Sequence, residues 1–129
     1  MGFGPSVTVP LRPEMRAARM ELELLKPELY LQENNIRSTI VVFGSTRILE
    51  PAAAQRRLDE AEAALMAAPD DRLRQRSVFQ ARNLVERSRY YSAAREFGRL
   101  VSEAGQQEPP RDYVVVTGGG PGIMEAANR

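Results

Sequence analysis

Five consecutive residues, Thr39-Ile40-Val41-Val42-Phe43, are β-branched or aromatic throughout, and no polar alternation interrupts them. Such a run is too short for a helix and lacks the two-residue period of a strand with one wet face. It reads instead as a strand buried on both faces, the kind found inside a parallel sheet covered by helices. Gly44 ends it. A second run of the same character, Tyr113 to Val116, also leads into glycine. Parallel strands need a long crossover, usually helical, and the segment between the two runs has helical character.

The apolar positions Met15, Ala18, Leu22 and Leu25 recur at helical spacing from Glu14 onward. Pro27 then ends that helix or opens a second short one through Tyr30 and Leu31, so the spacing predicts helix, kink, helix. A Leu/Met stripe of this kind reads as core or dimer contact before it reads as a ligand site. Pro51 suits a first helical position, where its missing N–H costs nothing, and Ala54, Leu58, Ala61 and Leu65 carry that helix towards Ala68-Pro69-Asp70-Asp71. Asp70 or Asp71 can cap the next helix, with Leu73, Ala81, Leu84 and Val85 among many arginines. Tyr90, Ala94, Phe97, Val101 and Ala104 mark another before Gly105. One unbroken helix from Arg72 to Ala104 would span about 50 Å, too long for a compact α/β layer, so a break is expected near Glu86 to Arg89.

The order strand, helices, strand, glycine-rich turn, helix predicts an α/β fold, a Rossmann-like parallel sheet with helices on both faces. Residues 1–13, proline- and glycine-bearing and without helical period, read as an extended arm; 14–36 as an N-terminal helical extension; 37–129 as the first part of a Rossmann-like nucleotide-binding domain. Two buried-type parallel strands leave their edges open, so the sheet is expected to be completed by a longer protein or by another chain.

Composition narrows the chemistry. The chain has 129 residues, with 18 Lys and Arg against 17 Asp and Glu, and this near-balance gives no global attraction to nucleic acid or an anionic membrane. The stretch Arg72–Arg82 is basic but has acidic neighbours, and reads as a solvated face. Cysteine and histidine are absent, which removes disulfides, Cys/His zinc sites and Ser-His-Asp or Cys-His nucleophile systems from this chain. No apolar stretch approaches the ~20 residues of a membrane span, and the first ten residues lack the pattern of a signal peptide, so the expectation is a soluble cytoplasmic protein.

In open parallel sheets, ligands gather at the carboxyl ends of the strands. At the first, Gly44 allows close backbone approach, Ser45 and Thr46 offer hydroxyls, and Arg47 can reach a phosphate or a ribose; alternatively Ser45 and Thr46 cap the turn while Arg47 pairs with Glu50. At the second, Gly118, Gly119, Gly120 and Gly122 permit positive φ and leave N–H groups uncovered, Pro121 stiffens the turn, and a helix begins near Ile123. The pattern Gly118-x-Gly120-x-x-Ile123 lacks the third glycine of a dinucleotide fingerprint, and the Gly-Lys-Ser/Thr ending of a P-loop is missing. What remains points to a nucleotide-like ligand. Glu125 either favours the helix dipole or accepts hydrogen bonds from ribose hydroxyls or steadies a water, and Met124 either packs under a base or fills core.

The stretches TIVVFGSTRI, YYSAAREFGRLVSEAG and VVVTGGGPGIMEAANR, in that order, resemble the amino-terminal half of the Lonely Guy (LOG) family, often labelled lysine-decarboxylase-like. The resemblance covers about Leu22 to Arg129. It implies a Rossmann-like fold and hydrolysis of the N-glycosidic bond of a nucleoside 5′-monophosphate, AMP or a cytokinin riboside monophosphate, to free base and ribose 5-phosphate. It also implies a homodimer or higher homo-oligomer, with no metal or redox cofactor. Members of that family continue into a PGGxGTxxE motif that holds the phosphate and supplies the catalytic glutamate, and the present residues do not include it, so the catalytic residues are expected beyond residue 129. The resemblance places Gly44, Ser45, Gly118, Gly119, Gly120, Gly122, Met124 and Glu125 in the wall of the substrate pocket. The alternative is a non-catalytic Rossmann protein that binds a nucleotide or a molybdenum cofactor.

Overall fold

A computed structural model of the chain describes residues 13–105 and 111–129. The arm expected over 1–13 therefore lies, Pro13 apart, outside the described residues, as does most of the turn expected before the second strand. A short 3-10 turn, Pro13–Met15, leads into α1 (Arg16–Glu33), β1 (Thr39–Val42), α2 (Pro51–Ala67), α3 (Arg72–Gly105), β2 (Val114–Thr117) and α4 (Ile123–Asn128). The architecture is α/β in the general sense: mostly helix, with one small sheet. Among the described residues, no helix is long and apolar enough to cross a membrane.

β1 and β2 pair in parallel, with Thr39 opposite Val114 and Val42 opposite Thr117. The pairing begins earlier, at a bridge between Ile36 and Arg111, where Arg111 N–H donates to the Asn35 carbonyl at 2.8 Å and Arg37 N–H donates to the Arg111 carbonyl at 3.0 Å. Asn35 and Tyr113 take positive φ at the two strand entries. The expectation that helices cover both faces is not met among the described residues. In a parallel pair Val41 and Val116 share one face, and they are 56% and 41% exposed; Phe43, just past β1, is 77% exposed. The packed helices contact β2 through α3 and α4, so one side of the sheet is clothed and the other is bare.

The largest departure from expectation is α3, a single helix of 34 residues with no break near Glu86 to Arg89. Its length does not have to fit one layer because its two halves do different jobs. The first half forms an antiparallel hairpin with α2: Arg74 Nη1 donates to the Ala64 carbonyl at 2.7 Å, and Arg82 pairs with Glu62 at 3.2 Å. The second half packs on β2 and α4. No proline or glycine lies between Arg72 and Phe97 to interrupt it. Ser88, buried at mid-helix, satisfies its hydroxyl by donating to the Val85 carbonyl at 2.6 Å. Asp71 caps the helix, its Oδ1 accepting from the N–H groups of Leu73 at 2.9 Å and Arg74 at 3.3 Å.

α1 likewise runs unbroken through Pro27. The carbonyl that proline leaves without an N–H partner belongs to Glu23, on an exposed stretch where water can serve it. Among the described residues the buried apolar ones are few and, Tyr91 apart, small: Ala54, Val78, Ala81, Tyr91, Ala126 and Ala127. They mark the seam between α2, α3 and α4.

That seam depends on Gly98. A Cβ there would run into the Ala127 carbonyl of α4, with the Ala127 carbonyl carbon only 2.9 Å away. Gly98→Ala is therefore expected to lower unfolding free energy by about 1–3 kcal/mol, the usual cost of forcing extra volume into a tight contact. Urea denaturation followed by circular dichroism measures it, with the exposed Arg89→Ala as the near-neutral reference.

Candidate functional site

Because β1 and β2 are parallel neighbours, their carboxyl-terminal loops leave the sheet side by side. Two contacts lock them together. Ile123 N–H donates to the Ser45 carbonyl at 3.3 Å. Gly122, at φ +75°, sits so close to the first loop that a Cβ would strike the Ser45 carbonyl oxygen and come within 3.1 Å of the Ile48 carbonyl oxygen. From the other side, a Cβ on Gly44 would overlap the Ile123 side chain. The missing side chains of Gly44 and Gly122 are thus used by one loop to accommodate the other.

The remaining glycines divide. Met124 lies against the inside of the turn, its sulfur 3.6 Å from where a Gly118 Cβ would stand and its methyl against that of Gly120. It fills space under the loop. Gly119, at φ +74°, has nothing within 4 Å of its Cβ position and faces the open side. There Gly119, Gly120, Pro121, Glu125, Asn128 and Arg129 line a cavity of about 460 Å³. The candidate residues of the second loop therefore split: Gly122 and Met124 support the turn, Gly119 and Glu125 are exposed at the cavity, Gly118 is exposed outside its lining, and Gly120 lines the cavity while its Cβ position faces Met124.

Ser45 and Glu125 are already engaged. The Ser45 hydroxyl accepts the N–H of Arg47 at 3.2 Å, the turn-capping arrangement. Glu50 pairs not with Arg47 but with Arg129, at 3.6 Å. Arg129 also lies 3.6 Å from Glu125 and donates to the Tyr91 hydroxyl at 3.1 Å. The bond to Tyr91, with the charges of Glu125 and Glu50, pushes this guanidinium further above its ordinary range, so its positive charge is permanent. Arg129 thereby ties the start of α2, the middle of α3 and the exposed face of α4 to the rim of the cavity.

Asn128 and Arg129, which line the cavity, and Thr117, which holds the turn, were not among the sequence-derived candidates. The Thr117 hydroxyl oxygen accepts from Gly119 N–H at 3.2 Å and from the Asn128 side-chain amide at 2.6 Å, so the last strand residue holds both the glycine turn and the end of α4. The available signal was spacing, since Asn128 and Arg129 stand three and four residues after Glu125, on the same side of a helix.

Two further depressions lie away from the glycine turn. One, of about 620 Å³, runs between Glu50 and the Tyr91–Arg99 stretch of α3. In it Arg99, hydrogen-bonded to Glu96 at 2.6 Å and also to Glu103, holds the Glu96 carboxyl below its ordinary range. The other, of about 470 Å³, follows β2 between the ends of α3 and α4. Among the described residues, no group of three His, Cys, Asp or Glu side chains is placed to hold a metal ion.

The two positive-φ glycines make opposite predictions. Gly119→Ala meets only the cost of positive φ, about 1–2 kcal/mol, whereas Gly122→Ala is forced into a backbone region open essentially to glycine, φ +75° and ψ −125°, and also collides with the first loop. Urea unfolding of the two variants is expected to rank Gly122→Ala clearly the less stable; equal losses would mean that the loops are not locked. No family model, curated protein or solved structure matches the chain.

Proposed function

We propose that these residues form the nucleotide-facing wall of a Rossmann-like N-glycosidase that cleaves a nucleoside 5′-monophosphate, AMP or a cytokinin riboside monophosphate, into free base and ribose 5-phosphate. The observation that carries this reading is the locked pair of glycine loops at the carboxyl ends of adjacent parallel strands, with Gly119 and Gly120 turned to an open cavity. Ligands of open parallel sheets bind at such a place. The resemblance of the strand and glycine-turn sequences to the Lonely Guy family supports the substrate class.

In the reaction, water adds across the bond between C1′ and the base; the sugar takes the hydroxyl and the base takes the proton. The sugar passes through an oxocarbenium-like state that needs a carboxylate to activate water or balance charge. Glu125 stands at the cavity but is held by Arg129, so its role is to contact the ribose. The water-activating carboxylate is assigned to the PGGxGTxxE motif of the family, which these residues do not include. A cytoplasmic setting fits this metabolism, and a homo-oligomer fits the bare sheet face.

The engagement of Glu125 by Arg129 also favours a second reading, a non-catalytic protein that binds a nucleotide or a molybdenum cofactor. The 129 residues alone are expected to release no base; incubation with AMP of a form of the protein that carries the PGGxGTxxE motif, followed by chromatography, separates the two. Release of adenine is expected. Tight binding of purine and pyrimidine monophosphates without release of any base would overturn the hydrolase and leave the binding protein, and neither binding nor release would overturn both. Gly120→Val, whose side chain would collide with the Met124 methyl and displace the turn that lines the cavity, is expected to weaken AMP binding at least tenfold, or about 1.4 kcal/mol in titration calorimetry. Unchanged affinity would show that Gly120 only shapes the turn.

A further inference from the structure

α1 contains no buried residue, and its only packed neighbour among the described elements is the short turn that precedes it. Yet it carries an apolar stripe: Leu22, Leu25 and Leu29 are 44%, 47% and 46% exposed, in line with Met15 of the preceding turn, while Met20, Leu24 and Tyr30 are exposed on its other faces. A lone helix of 18 residues is marginal in water and draws most of its stability from a face it can lie on.

The stripe has the seven-residue repeat of a two-stranded coiled coil. Met15, Leu22 and Leu29 occupy the a positions, and Ala18, Leu25 and Gln32 the d positions. The flanking residues then name the partner. The e positions hold Arg19, Lys26 and Glu33, and the g positions hold Glu14, Glu21 and Glu28. In a parallel pair, each g position faces the e position five residues on in the other helix. Glu14 meets Arg19 of the second copy and Glu21 meets Lys26 of the second copy, each contact occurring twice by symmetry; only Glu28 meets a like charge, at Glu33. In an antiparallel pair, g faces g and e faces e, which sets glutamates against glutamates and cations against cations. Pro27 takes an f position, on the far side of the seam, where its ring and its missing N–H touch nothing in the pair.

We propose that α1 is a self-association element that pairs with α1 of a second copy of this chain as a parallel, in-register coiled coil, with Leu22, Leu25 and Leu29 in the seam. The occupant is a second copy because the charges flanking the seam are complementary to themselves in that orientation.

The chain has no cysteine, so single cysteines report the orientation directly. Ala18→Cys and Leu29→Cys lie towards opposite ends of the seam, and in a parallel in-register pair each meets its own counterpart. Both variants, tested separately under mild oxidation, are expected to run at twice the chain mass without reductant, and the unmodified protein is expected to have a dimer's mass by light scattering. A monomer mass, another stoichiometry, or failure of both variants to self-link would overturn the proposal; antiparallel pairing gives the last result. A charge exchange guards against a variant that merely unfolds. Glu21→Lys alone is expected to raise the dimer dissociation constant several-fold, and adding Lys26→Glu to the same chain is expected to restore it. Failure of that rescue would show that the flanking charges do not choose the partner.

Discussion

How closely α4 can approach α3 is set by the missing side chain at Gly98, and the placement of the whole glycine turn follows from it. α4 has only six residues, too few to hold a position by itself, and it is seated by Ala126 and Ala127, both buried. With the Ala127 carbonyl against Gly98, the start of α4 is directed at the first loop, where Ile123 finds the Ser45 carbonyl. A small, alanine-rich seam therefore serves where a larger core would otherwise be needed. Its cost is sensitivity, since among the described residues Tyr91 is the one large buried side chain there whose packing could absorb a shift.

What could be read from the chain beforehand were the features governed by local chemistry. A strand from Thr39, the helix opening at Pro51, a cap at Asp70 or Asp71 and the glycine turn before α4 each announce themselves within a few residues. What could not be read was anything decided by a distant partner. The unbroken α3 depends on α2 folding back along its first half, so that a helix too long for one layer belongs to two. The apolar run marks a strand, one residue shorter than the expected Thr39–Phe43, but composition does not say which elements cover it, and among the described residues one face has no cover.

The site divides along the same line. That glycines would cluster at two strand ends was legible, because strand-glycine-helix order is written in the sequence. Their separate duties were not, because the clash that makes Gly44 and Gly122 structural involves residues far along the chain from each. Thr117, Asn128 and Arg129 escaped notice because Asn128 reaches Thr117, and Arg129 reaches Tyr91 and Glu50, only after folding. Arg129 in particular reads from sequence as one more arginine in an arginine-rich chain.

The interlocking of Gly44 with Ile123, and of Gly122 with Ser45, bears on how tightly any ligand could be held. Two loops that cannot move apart have already given up most of their conformational freedom before a ligand arrives. Flexible glycine loops lose affinity because binding must order them, by about 1–2 kcal/mol for each backbone residue fixed. Here that entropy is lost during folding, at the expense of stability rather than of binding. The same rigidity sharpens selection by shape, since a loop that cannot yield admits only a ligand that already fits over Gly119.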